Sequence, residues 1–446
     1  MYRAPVFLRH LEPRTARTTS EVLNFALWPF AVMTVIHQAF VMGTNFNVTD
    51  DFAPVYKASL AFLHGRSIYN DNFDLVDPHY LYPPGGTLLV APLAWIDPMH
   101  SKWCFVALNV VALLLAWYLL LRLFGFSIKS YAAPLTLLLM FASETVINTL
   151  AFGNVNGCVL LAEVAFIMLL LRRRDLWAGL IMGLTITVKP TLAPMLLIPL
   201  VRRQWKVFIT ALGVPIALNA IAVAVIKDPM DYLRKTFPYS IQARDYFNSS
   251  IPGSAAYWGL PSPLVWSMRI GMGVLVLISL WLLYRYCRNN ELFFICTSAG
   301  ILLTAEFLIS GLGQMYYSMM LFPFLMTVVL PNSVLRNWPA WLAIFGFTTY
   351  DKWLLDHWQS LGRDLEYLRV TFGWGLLLVV TFCVLVDRYL AARREGRLDS
   401  GIDPAYLLPE RETATPEDTA AGAAVLADEP DIAAPEASAS EATALR

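Results

Sequence analysis

The chain has 446 residues, of which 57% are hydrophobic, 13% aromatic and only 15% charged, where a soluble domain carries about 25% charge. A soluble enzyme is excluded, and apolar stretches of roughly 15 to 23 residues fit spanning helices rather than the short alternating strands of a β-barrel. The net charge of zero is a cancellation: residues 399–446 hold 11 acidic and 2 basic side chains and the remainder 22 and 31, so a basic membrane body carries an acidic tail.

Residues 1–21, with Arg3, Arg9, Arg14 and Arg17, read as a cytoplasmic N-terminal segment. The apolar run Val22 to Met42 is too long for a signal peptide and lacks a small-residue cleavage site, so it reads as an uncleaved first span that delivers Thr44 to the outer face. A first outer loop follows over 44–82. Within it Pro54 to His64 has helical apolar spacing (Val55, Ala58, Leu60, Phe62) and predicts an amphipathic helix at the interface. Gly85 to Ile96, between YPPGG and Asp97-Pro98, is short for a full span and predicts a half-inserted segment.

Apolar runs near 101–123, 131–149, 157–171, 207–226, 257–284, 292–309, 318–330, 339–350 and 367–387 read as spans. Basic clusters (Arg172 to Arg174, Arg202-Arg203 with Lys206, Arg285 with Arg288, Arg336, Arg393-Arg394) fall at alternate loops, as one consistent orientation requires. Leu176 to Leu200 lies between two such clusters and must leave and return, so it predicts a hairpin broken around Lys189-Pro190. The fold class is therefore an all-α integral membrane protein with about 12 spans over 22–395 and both termini cytoplasmic. A second long outer loop covers 227–256. Residues 396–446, rich in Ala, Pro, Thr and acid, read as a disordered cytoplasmic tail. Five scattered cysteines with no CxxC spacing point to core packing rather than disulfides or a metal site.

Asp50-Asp51, just past the first span, pairs two carboxylates, and beside a bilayer one of them would hold a raised pKa suited to accepting a proton; the plain alternative is a solvated loop start. Lys189 places a cation in an apolar hairpin, where it needs an anionic partner: a substrate phosphate, or a structural carboxylate among Glu144, Glu163 and Glu306. Arg244-Asp245-Tyr246-Phe247-Asn248 mixes a cation, an amide and aromatics, which suits sugar and phosphate and equally suits an interfacial loop. Asn154, Asn156, Gln314, Tyr316 and Tyr317 fall at outer ends, as substrate donors or ordinary caps. His37 and His64 have no ligand partner at i, i+4 spacing, and HExxH, Walker A and dinucleotide signatures are absent from the sequence, so the expectation is no metal, no cofactor and no nucleic-acid partner.

This order of features resembles the GT-C glycosyltransferases, which take a sugar from a polyprenyl-phosphate carrier. DDFAPVYKASLAFLHGRSIYNDNF followed by YLYPPGGTLLVAPL is similar to that family's first-loop block, FGNVNGCVLL to its Gly-Gln-x-Asn block with Asn154 in place of Gln, and LTITVKPTLAPMLLIPLVRRQWK to its Lys-Pro hairpin. NVTDDFAPVY, DPHYLYPPGGTLL, RDYFNSSI, YYSMMLFPFLMTVVLPNSV, RNWPAWL and LDSGIDPAYL carry a closer likeness to the mycobacterial α(1→3)-arabinofuranosyltransferases.

The resemblance implies a donor, decaprenyl-phosphoryl-β-D-arabinofuranose, an arabinan acceptor of arabinogalactan or lipoarabinomannan, and inverting transfer at the outer face of the plasma membrane. It further implies Asp51 as general base with Asp50 as its neighbour or alternate, Lys189 and Arg244 on the donor phosphate, and Tyr56, Tyr82, Asn154, Asn248 and Tyr317 as sugar contacts. Gln314-Met-Tyr316-Tyr317 stands where mannose-transferring relatives often place His, so a histidine role is not carried over. Rival expectations are a lipid-linked glycan flippase, which would ordinarily show two broken helices in pseudo-repeated halves, a GT-C mannosyltransferase, and a non-catalytic scaffold.

Overall fold

A computed structural model describes residues 18–44, 50–76, 78–350, 352–353, 355–396 and 398. The acidic tail, apart from Gly396 and Leu398, lies outside the described residues, as do most of segment 1–21 and residues 45–49 of the first loop.

The described chain is helical throughout. Helix α1 (Thr19–Ile36) starts where Thr18 and Glu21 form a capping box, each side chain taking the other's backbone N–H, and a π-helical turn continues it to Met42. In the first loop α2 (Phe52–Leu63) buries Phe52, Val55, Ala58 and Ser59 along one face, as its spacing predicts. Gly85 to Ile96 forms only a short α3 (Pro84–Val90) and a 3₁₀ turn over Ala91–Trp95. The two glycines of YPPGG explain its position: a Cβ at Gly85 would come within 3.0 Å of the Asn219 backbone nitrogen, and one at Gly86 within 3.0 Å of the Thr187 carbonyl. Only glycines let α3 lie this close to its neighbours.

Those neighbours follow in order. Helix α4 (Pro98–Leu123) is a full-length apolar helix; α5 (Ala132–Ala142) and α6 (Glu144–Phe152) are bent by 57° at Ser143; α7 is Asn156–Leu171. The hairpin consists of α8 (Asp175–Val188), a break at Lys189, a 3₁₀ stretch over Pro190–Leu196 and α9 (Leu197–Val201). Arg173 and Arg202, which flank the hairpin, both bond Glu291 Oε1, at 2.5 and 3.0 Å, so the chain goes out and returns to one place.

Helix α10 (Trp205–Val225) leads into the second long loop, which holds α11 (Phe237–Ile241) and then α12 (Ile251–Trp258). The rest of the bundle is α13 (Ser262–Leu282), α14 (Glu291–Ile309), the short α15 (Phe322–Leu325) between 3₁₀ turns, α16 (Trp338–Thr348) and the 36-residue α17 (Gln359–Arg394).

The packing has two bundle cores and a cap. Helix α14 runs through the larger core, where Phe293, Phe307 and Trp374 are fully buried and the Trp374 indole donates to Ser318 Oγ at 2.9 Å. A second core joins α4, α5, α6 and α7. The cap covers one end, where Val55 and Ala58 of α2 meet Tyr69, Tyr80, Val90, Ala222 and Ile226.

Among the described residues six helices are long and apolar enough to cross a membrane, or seven if the bent α5–α6 pair counts as one span. The expected count of about 12 is not reached on length and composition. The run 131–149 is bent at Ser143, the run 318–330 is mostly 3₁₀, and 339–350 yields an 11-residue helix. The reason is physical: a straight crossing takes about 20 residues, and backbone can break inside a bundle only where it is buried in protein or lines a cavity. Cys287 and Cys296 are buried as expected, whereas Cys104 and Cys383 are exposed on apolar helices.

Gly153, at the end of α6, has φ +65° and sits where a Cβ would lie 3.1 Å from Phe52 Cβ. Gly153→Ala should therefore cost about 1–2 kcal/mol from the left-handed backbone alone, plus the displacement of α2. Gly125→Ala, at φ +77° with nothing within 4 Å, should show the backbone cost only. Thermal unfolding of the two variants in detergent separates the contributions.

Candidate active site

The site begins with two adjacent carboxylates that the fold sends different ways. Asp50 Oδ1 accepts the N–H of Phe52, the first residue of α2, at 3.0 Å, and Asp50 Oδ2 takes Lys102 Nζ at 2.9 Å. Lys102, at the start of α4, is 4% exposed, and this pairing is one that sequence reading missed, although a lysine opening an apolar helix is its visible signal. With Asp50 held by the Phe52 N–H and Lys102, the Asp51 carboxylate is left to face the cavity. Its own N–H is anchored on the Phe152 carbonyl at 2.8 Å.

Asp51 lines a cavity of about 730 Å³ at the capped end of the bundle, a volume typical of small-molecule sites. The Tyr316 hydroxyl stands between Asp51 Oδ2, at 3.2 Å, and Gln314 Oε1. Burial pushes the Asp51 carboxyl above the usual carboxylate range. The Lys189 ammonium and polar contacts from Tyr316 and Asn154 pull it back, and Asp50 adds a smaller upward push.

Lys189 reaches this point because Pro190 ends α8. The residue before a proline is driven out of the helical region, and Lys189 has φ −128° and ψ 83°. Its Nζ lies over the Tyr317 ring, 4.1 Å from the centroid, and 5.7 Å from that of Tyr316. The carboxylate that acts on Lys189 electrostatically is Asp51, which was not among the partners expected from the sequence. Glu306 lines the same cavity, while Glu144 and Glu163 are buried elsewhere at 2% and 1% exposure.

Arg244 enters from the second loop, held over the Tyr239 ring at 4.3 Å and donating to the Tyr239 hydroxyl. Its Nε is buried and bonds nothing. Lys189 and Arg244 therefore bring two cations to one cavity, and both act on Tyr317 or its ring. An anionic group fits that lining. Among the described residues no three His, Cys, Asp or Glu side chains gather to hold a metal ion.

The five expected sugar contacts separate. Tyr82, Asn154 and Tyr317 line the cavity. Asn154 is 6% exposed, Oδ1 taking the Asn156 N–H at 3.1 Å. Tyr56 is not among the lining residues, and its hydroxyl donates to the Ile96 carbonyl at 2.9 Å. Asn248 borders the cavity, but its amide is engaged with backbone: Nδ2 donates to the Arg244 and Gly311 carbonyls at 3.1 and 2.8 Å, and Oδ1 accepts from Ser250 and Gly313 at 3.2 and 2.9 Å. It ties the second loop to the turn that precedes Gln314.

The profile of Glycosyltransferase family 87 matches residues 80–311. Over 409 residues, 91% of this chain and 95% of the relative, the sequence is 54% identical to an "Alpha-(1->3)-arabinofuranosyltransferase" of Mycolicibacterium smegmatis. Proteins of the same name from Mycobacterium tuberculosis and Corynebacterium glutamicum are 54% and 40% identical over 91% and 88% of this chain, each across 95% of the relative. The chain belongs to this glycosyltransferase family. A glycosyltransferase of this kind works in a membrane on a lipid-linked sugar donor and a glycan acceptor, and the flippase and scaffold expectations give way to it.

Asn248→Ala should leave several buried backbone groups without partners, at about 1–3 kcal/mol each. The expected result is a large drop in the unfolding temperature of the detergent-solubilised protein. Unchanged stability with a raised KM would instead make Asn248 a sugar contact.

Proposed function

We propose that the protein moves arabinofuranose from decaprenyl-phosphoryl-β-D-arabinofuranose to an arabinan acceptor with inversion, making an α(1→3) bond at the outer face of the plasma membrane. The observation that carries this reading is the separation of the two acids: Asp51 faces the cavity beside Lys189 while Asp50 is spent on Lys102 and the α2 N-terminus. The names of the relatives support the sugar and the linkage. The orientation is supported by Arg173 and Arg202 meeting on Glu291, at the start of α14, whereas Glu306, at its far end, borders the cavity. Both termini then lie in the cytoplasm, and the expectation of about 12 crossings requires the bent and 3₁₀ segments to count as pieces of spans.

In the reaction the acceptor hydroxyl attacks the anomeric carbon as the bond from that carbon to the phosphate oxygen breaks. The bonding pair leaves with the phosphate, and the hydroxyl proton passes to the Asp51 carboxylate. The leaving group is already a weakly basic anion and needs no strong acid; Lys189 and Arg244 stabilise the charge that builds on it. Burial makes Asp51 a stronger base than an exposed carboxylate. Tyr316, between Asp51 and Gln314, orients it.

Transfer by purified protein from a synthetic polyprenyl-phosphoryl-arabinofuranose to a short α(1→5) arabinan, with linkage analysis of the product, tests the reading. Asp51→Asn should lose about 10²–10⁴ in kcat, while Asp50→Asn keeps the chemistry and loses stability. The reverse pattern would move the base to Asp50, and α(1→5) products would sink the linkage.

The pH dependence has a definite sign. Asp51 must be ionised to act, so kcat/KM should fall as pH drops through a pKa above the ordinary value of about 3.9. The groups that act on it are Lys189, Tyr316, Asn154 and Asp50, with Tyr82 and Tyr317 also within electrostatic reach. Because Lys189 lowers that pKa, Lys189→Met should shift the acid limb to higher pH as well as slow the reaction; an unmoved limb would mean that another group is being titrated.

A further inference from the structure

Part of the cavity wall is built by a segment that neither the sequence motifs nor the transfer chemistry uses. Arg363, Glu366 and Tyr367, on the first turns of α17, line the same cavity as Asp51 and Lys189. Helix α17 has 36 residues, about 54 Å at 1.5 Å per residue, against a hydrocarbon core of about 30 Å. Its uncharged part, 370–386, accounts for about 25 Å. The segment before it, about 16 Å of helix, holds Arg363, Asp364, Glu366 and Arg369 and also carries the exposed Leu361, Leu365 and Leu368, so it is an amphipathic extension of the apolar part with Arg363 and Glu366 on the cavity that holds Asp51.

This projection is held firmly. Arg369, 8% exposed at its base, donates to the Gly346 and Thr349 carbonyls at 3.3 and 2.9 Å and contacts Met315 Sδ at 3.1 Å. The Tyr367 ring is stacked on Tyr257, centroids 4.2 Å apart and planes 14° from parallel. Asp245 of the second loop and Arg363, one turn earlier on the same helix, are near enough to act on Tyr367, and Tyr246 lines the cavity from the second loop.

From this juxtaposition we infer that the projecting turn of α17, with Arg363, Glu366 and Tyr367, is a glycan subsite that holds acceptor sugars beyond the one receiving the new bond. The inference rests on the proposed arabinosyl transfer. The chemistry selects the occupant. The two acids and two bases of the projection cancel, so it offers no excess charge to a second phosphate, and the charged Arg363 and Glu366 on the cavity wall are a poor surface for a polyprenyl tail. A neutral furanoside chain fits: its hydroxyls bond a guanidinium and a carboxylate, and its C–H faces pack on a fixed tyrosine ring. The cavity then divides by depth, with the lipid phosphate at Lys189 and the glycan leaving along α17.

The test uses the full chain in detergent, an α(1→5) arabinan dimer and hexamer, and the variants Tyr367→Ala, Arg363→Gln with Glu366→Gln, and Tyr367→Phe. Binding of the hexamer is measured by calorimetry beside transfer. Tyr367→Ala should raise KM and Kd for the hexamer about tenfold, the size of one lost aromatic contact, with kcat, the dimer KM and the donor KM unchanged. Tyr367→Phe should retain wild-type values, which a misfolded variant could not do. An equal loss for dimer and hexamer, or a raised donor KM, would overturn the subsite. Hexamer binding that depends on Tyr367 without any transfer would keep the subsite and sink the transfer reading; transfer with the same KM for both lengths would do the reverse.

Discussion

The structure turns on keeping one carboxylate half-buried and unspent beside a half-buried cation. Asp51 and Lys189 come from segments far apart in sequence, and each would be costly alone in an apolar surrounding. Together they offset part of that cost, while the polar contacts of Tyr316 and Asn154 supply more. The rest of the cap can be read as the means of holding this arrangement open. Asp50 takes the Phe52 N–H at the start of α2 and the ion pair, with Lys102 as the counter-charge.

Breaks in regular structure deliver both partners. Lys189 is presented because Pro190 ends α8 within the bundle, and the hairpin stays in register because Arg173 and Arg202 share Glu291 at its base. Asp51 is presented because Gly153 turns the chain tightly under α2 and lets the Asp51 N–H bond the Phe152 carbonyl. The close approach of α3 at Gly85 and Gly86 closes the space between the first loop and the hairpin. The 3₁₀ segments around Tyr316 and Tyr317 belong to the same logic, since a regular helix there would not set both rings against Lys189.

The cavity so formed joins two environments. Its lining combines aromatic and cationic side chains, suited to an anionic headgroup, with loop residues and the charged first turns of α17. For a glycosyltransferase that takes a lipid-linked donor and a glycan acceptor, such a mixed lining lets two substrates of opposite solubility meet in one cavity.

Much of this was legible in the sequence. Low charge, long apolar runs and the alternating basic clusters determine a helical membrane protein, the Lys189-Pro190 break and the amphipathic α2, because hydrophobic length and proline geometry act locally. Asp51, Lys189, Arg244, Tyr82, Asn154 and Tyr317 were visible as candidates, and all line one cavity. What the sequence left open needed contacts between distant segments. Asp50 and Asp51 are equivalent as neighbours and become distinct only when Lys102 arrives. Asn248 looks like a ligand until its amide is seen tying backbone together. Tyr56 turns to the Ile96 carbonyl, and the number of full-length helices is smaller than the count of apolar runs because several bend or tighten where they line the site. Hydropathy reads the solvent a segment needs; only tertiary packing decides which polar groups are used up in holding the fold and which are left for chemistry.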